Sequence, residues 1–94
     1  MATRNVVVTT DKDRRGVFGG ELLPSKNGKT VLRNARMAVY WSSDVHGVLG
    51  LAANGPSHTC RITPMVPRIE FDGVSAVMDM TDEAVEAWAK EPWG

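Results

Sequence analysis

The sequence predicts a mostly β domain: a compact, bent antiparallel sheet or small barrel with one C-terminal α-helix. Three observations carry that expectation. Val6-Val7-Val8-Thr9-Thr10 is a β-branched run, and β-branched side chains suit the pleated strand. Asn27-Gly28 and Asp72-Gly73 stand between apolar stretches, where such pairs form the tight turns of antiparallel hairpins. Finally, only Asp82 to Lys90 carries convincing helix signals.

The elements follow in order. Val6 to Thr10 is the first strand, and Asp11-Lys12-Asp13 is a polar turn. Gly16 to Leu23 is the second strand, with Gly16, Gly19 and Gly20 marking a strong bend or a close backbone approach. Thr30 to Trp41 is a long extended stretch whose alternation fails near Asn34-Ala35-Arg36, so a bulge or break is expected there. Ser42-Ser43-Asp44 is a loop. Gly47 to Ala53 reads as another strand, closed by the turn Asn54-Gly55-Pro56. Thr59 to Ile62 is a short strand, and Pro64 and Pro67 bracket an edge or connector. Ile69 to Phe71 and Val74 to Asp79 read as a hairpin about Asp72-Gly73, with Val74, Ala76, Met78 and Met80 on one face. Thr81 caps the helix, Asp82 and Glu83 complement its dipole, Val85, Trp88 and Ala89 form its apolar stripe, and Pro92 ends it.

Ninety-four residues, 43% of them apolar, make one globular domain spanning 1–94, with a thin core. Such a core is often completed by self-association, so a homo-oligomer is expected. The single cysteine, Cys60, excludes an intramolecular disulfide framework. No apolar run approaches the roughly 18 residues of a membrane span, and the N-terminus has no signal-peptide core. The expected location is the cytoplasm, of the host cell if the protein is viral, with no membrane partner.

The net charge is zero but unevenly spread. Residues 1–36 hold eight Lys and Arg against three Asp and Glu, a net +5, and residues 37–94 hold the reverse, a net −5. Tight non-specific nucleic-acid binding needs a basic excess that the whole chain lacks. Opposed halves also suit head-to-tail subunit contacts.

Three groups of residues bear on chemistry. His46, His58 and Cys60 match no usual zinc spacing and supply too few ligands for a closed site. Neither metal nor catalysis is expected from them, and the chain is read as a non-enzyme without cofactors. The glycines from Gly47 to Gly55 precede no helical pattern, so they are read as serving turns and close packing, not a phosphate loop. Arg33, Arg36, Tyr40 and Trp41, with Arg14 and Arg15 in an adjoining hairpin, form the candidate ligand site. Arginine forks grip phosphates and aromatic faces stack bases. The competing reading makes Tyr40 and Trp41 core or interface, and the arginines solvated strand residues.

Several strings also carry a resemblance. Arg15 to Leu22, Asn34 to Trp41, Gly47 to Pro56 and the ending Asp82 to Trp88 together resemble a family of short, uncharacterised phage and prophage proteins. That family brings no catalytic residues; the resemblance implies action on host machinery or host signals. The run Gly16 to Ala35 is also similar to the paired strands of Sm-like RNA-binding proteins. This chain departs from them in lacking the N-terminal helix and the second signature and in adding a C-terminal helix. The expected function is therefore a non-enzymatic, phage-type binding protein that sequesters a small nucleotide signal, such as a cyclic oligonucleotide, to counter host defence. The alternatives are an Sm-like single-strand nucleic-acid binder and an inhibitor of a host protein.

Overall fold

The computed structural model describes residues 4–10, 16–24 and 29–90. Six strands form one antiparallel sheet: β1 (Asn5–Thr10), β2 (Gly16–Leu23), β3 (Thr30–Tyr40), β4 (Arg61–Ile62), β5 (Val66–Phe71) and β6 (Ala76–Asp79). Two helices accompany them, α1 (Gly47–Ala53) and α2 (Asp82–Lys90). The expected mostly β architecture with a C-terminal helix is what forms, as an open sheet. The turns expected at Asp11 to Asp13 and Asn27-Gly28 lie outside the described residues.

β1 is flanked by β2 and β6, and it is buried on both faces. Val6 and Val8 pack with Leu32 and Ala35, while Val7 packs into a separate cluster with Leu51, Ile62 and Trp88. A strand covered on both sides needs a continuous apolar run rather than alternation, which accounts for three valines in a row.

β3 is the longest strand, and its outer edge is shared. β5 pairs its first half, from Thr30 to Ala35, and β4 pairs its end, at Ala38 and Tyr40. Across the sheet the order β5-β3-β2-β1-β6 puts β5 and β6 four spacings apart, about 19 Å on a flat sheet. Only residues 72–75 join them, and five extended steps reach about 17 Å. The sheet must therefore curl. Within the curve Phe18 and Phe71, from β2 and β5, bring their ring centroids to 4.8 Å.

The bulge expected near Asn34 is present. Gly19 pairs Arg36 and Glu21 pairs Arg33, so Asn34 and Ala35 together oppose Gly20. Asn34 takes the left-handed conformation, with φ 52°, which asparagine tolerates better than most residues. The extra residue resets which face β3 shows. Leu32 and Ala35 share one core cluster, and Ala38 joins the other, beneath the helices.

Two expectations are corrected. Gly47 to Ala53 is a helix, not a strand. Its apolar residues serve either reading, but Val48, Leu51 and Ala52 are spaced to share a helical face, and all three pack into the cluster with Trp88. Gly50 is required there, because an added Cβ would lie 1.5 Å from the Val45 carbonyl oxygen. Residues 69–79 are not a hairpin either: β5 pairs β3 and β6 pairs β1. The short link turns the chain from one sheet edge to the other, which a local turn signal cannot reveal. Val74 consequently packs in the Leu32 cluster, Met78 and Met80 against the Trp88 cluster, and Ala76 is exposed.

The helix α2 is capped as expected, with Ala84 N–H donating to Thr81 Oγ1 at 3.1 Å. Its buried face is Ala84 and Trp88, while Val85 is half-buried and Ala89 exposed. Trp88 Nε1 donates to the Leu51 carbonyl at 3.0 Å and so locks α2 to α1.

The α1 assignment makes a sharp prediction. Gly50→Ala forces the α1 turn away from Val45 and is expected to cost at least about 2 kcal/mol in urea unfolding. Leu49→Ala, at a position 71% exposed, is expected to stay within about 0.5 kcal/mol of the parent.

Candidate functional site

Among the described residues two concave regions stand out, one beside α2 and one at the β3–β4 edge. The first is a cleft of about 140 Å³ between the bulge and α2, with Gly19, Gly20, Met80 and Trp88 in its walls and Glu21, Asn34 and Arg36 at its polar side. Its charged groups are engaged within the fold. Arg36 Nε donates to the Thr63 carbonyl at 2.8 Å and its Nη1 to the Trp88 carbonyl. It thereby caps the last turn of α2, where backbone carbonyls lack helical partners. Partial burial pushes its pKa below the ordinary arginine value without discharging it.

Glu21 organises the other side of that cleft. Its carboxylate accepts from Arg33 at 3.2 and 3.3 Å and from Asn34 Nδ2 at 2.7 Å. These bonds, the Arg33 contacts first, hold its pKa below the usual value of 4.5. The same pairing raises the pKa of Arg33. The carboxylate thus pins the left-handed Asn34 and its neighbour across the bulge.

The second region is an open depression lined by Val39, Tyr40, His58, Thr59 and Arg61. Tyr40 and Arg61 are cross-strand partners of β3 and β4, and both line the depression. Tyr40 is 52% exposed, and His58, Thr59 and Arg61 are exposed too. Behind them Ser42 begins a 3₁₀ turn, Ser43–Val45. Hydrogen bonds from Ser42 and Ser57 hold the Asp44 carboxyl below its usual pKa of 3.8, and the nearby His58 adds a smaller push.

The residues singled out from the sequence are thus divided. Arg36 is turned inward beside the Glu21 network that holds Arg33, while Tyr40 belongs to the second region. Trp41 is half-buried and packs against the cluster of Leu51 and Trp88. Arg14 and Arg15 lie outside the described residues. Cys60 is buried, 1% exposed, with its sulfur 3.4 Å from the Ser57 backbone nitrogen that donates to it. Among the described residues no cluster of three or more His, Cys, Asp or Glu is arranged to hold a metal ion, and no helix is long and apolar enough to cross a membrane. Arg61 and Thr59 escaped the sequence reading because only the β3–β4 pairing brings them to Tyr40.

These features define a small domain built on one open, curled antiparallel sheet, with two helices on one face and an aromatic–basic depression at the β3–β4 edge. The chain belongs to the family described as Domain of unknown function (DUF6948), whose model matches residues 3–88. No curated protein and no solved structure is similar to it.

The Glu21 network predicts a pH dependence. A carboxylate with a folded-state pKa below its unfolded value stabilises the fold above the unfolded pKa and loses that contribution as pH falls through the folded one. The stability difference between the parent and Glu21→Gln is therefore expected at pH 7 and should shrink steadily below about pH 4.5, read from urea midpoints across the range.

Proposed function

We propose that this domain is a binding protein without catalytic chemistry of its own, and that its ligand is a small anionic nucleotide held at Tyr40, His58, Thr59 and Arg61. The observation that carries this reading is the cross-strand pairing of Tyr40 with Arg61 on the rim of an open depression. An exposed aromatic face stacks a base, and a neighbouring guanidinium binds a phosphate through charge-assisted bonds. The resemblance to short phage and prophage proteins supports a signal of host defence, such as a cyclic oligonucleotide, as the nucleotide. Exposed Val39, Met65, Val66 and Leu49 support self-association of the chain.

A second reading, an Sm-like binder of single-stranded nucleic acid, is favoured by one observation. The first three strands form a bent meander, and the last strand returns to pair with the first. The two readings differ in salt dependence. A groove that tracks a strand loses about 0.7 log units of affinity per neutralised phosphate for each tenfold rise in salt, whereas a pocket with one or two arginines loses far less.

Calorimetry with a cyclic dinucleotide and with a poly-pyrimidine 12-mer, each at two salt concentrations, separates them. The nucleotide reading expects the dinucleotide to bind, with Tyr40→Ala and Arg61→Ala each weakening it at least roughly tenfold and Arg33→Ala leaving it unchanged. Steeply salt-dependent binding of the 12-mer alone would move the assignment to the strand binder.

A further inference from the structure

Three hydroxyls and one carboxylate meet behind the depression, and counting their protons determines what one of them can offer a ligand. Ser42 Oγ contacts Asp44 Oδ1 and lies 2.5 Å from Thr59 Oγ1 and 3.4 Å from Ser57 Oγ. Ser57 Oγ in turn lies 3.0 Å from Thr59 Oγ1. Each hydroxyl has one proton to donate and two lone pairs to accept with, while an ionised carboxylate only accepts. Asp44 is held in its ionised form by Ser42 and Ser57, so the Ser42 proton is committed to it.

The 2.5 Å contact between Ser42 and Thr59 must then be bridged by the Thr59 proton, since two oxygens that close with no proton between them repel. The proton of Ser57 is drawn the same way, toward Asp44 or Thr59. The protons of Ser42 and Thr59 therefore run inward to the carboxylate. Thr59, the exposed member that also lines the depression, is the outer end of the chain. What it has left for a ligand is a lone pair.

We propose that the relay Asp44–Ser42–Thr59 makes Thr59 an obligate acceptor, and so selects ligands that place a hydrogen-bond donor beside the anionic group recognised by Arg61. Resting on the nucleotide reading above, this identifies the donor as a sugar hydroxyl, and the ligand class as ribonucleotides in preference to deoxyribonucleotides. A phosphate oxygen set against Thr59 would oppose lone pair to lone pair, so the phosphate belongs on the Arg61 side and the sugar on the Thr59 side. Asp44 and Ser42 are positioning residues in this scheme, since they act only through Thr59.

The test is calorimetry on the full chain with a 3′,5′-cyclic dinucleotide and its 2′-deoxy counterpart, which lacks every sugar hydroxyl. The ribose form is expected to bind roughly tenfold more tightly, the scale of one neutral hydrogen bond. Thr59→Val should abolish the preference, so that the variant binds the ribose and deoxy forms equally. Ser42→Ala, which releases the Thr59 proton, should erode the ribose preference with Thr59 still in place, an effect that loss of a merely structural contact would not confine to one sugar. Equal affinity of the two forms for the parent chain, or a preference that survives Thr59→Val, would overturn the relay while leaving the nucleotide reading standing. Binding of neither form would overturn the nucleotide reading, and the relay with it.

Discussion

The arrangement of this domain depends on one extra residue in β3. With Asn34 and Ala35 set against Gly20, the strand changes which side chains it sends to each face half-way along its length. Before the bulge Leu32 fills the curved interior beside Phe18 and Phe71; after it Ala38 lies under the helices. A regular strand would have kept Leu32 and Ala38 on one face, because side chains alternate with a period of two. The bulge thus allows a single eleven-residue strand to serve two cores, and it is stabilised by Glu21, which grips Asn34 within the bulge and Arg33 just before it.

From that shift follows the placement of Arg33 and Arg36. Arg36 is delivered to the end of α2 and secures both the helix and the segment at Thr63. Arg33, on the other side of the kink, is held by Glu21. Arg61 lines the depression at Tyr40 from a strand that is short, two residues, and at the sheet edge. Edge positions can present polar groups outward without disturbing a buried ladder, and here both cores are complete without Tyr40 or Arg61.

Much of the fold was legible because local chemistry and tertiary role agree. The three valines of β1, the failed alternation at Asn34, the Thr81 cap and the burial of Trp88 each follow from residue type and spacing. Gly47 to Ala53 misled because its glycines and small apolar residues suit a strand and a helix alike; the helix wins through its packing against Trp88, which is not local to it. Asp72-Gly73 misled in the opposite way, since it is a real turn signal whose flanking strands pair elsewhere. The site was only half legible. Tyr40 stands out as an aromatic residue near arginines, but its cross-strand neighbour lies twenty-one positions further on, in a short strand whose pairing partner the local pattern does not give. The Ser42, Ser57 and Thr59 group is likewise assembled from two segments that only the closure of α1 brings together.

The most direct measurement of this account compares Asn34→Gly with Asn34→Val in urea unfolding. Asn34 is exposed, so burial does not confuse the comparison, and its φ of 52° favours glycine over any β-branched residue. The bulge predicts that the glycine variant is the more stable of the two, by about 1–2 kcal/mol. The opposite order, with valine ahead by the roughly 1 kcal/mol that a regular strand confers, would contradict the bulge and the division of β3 that depends on it.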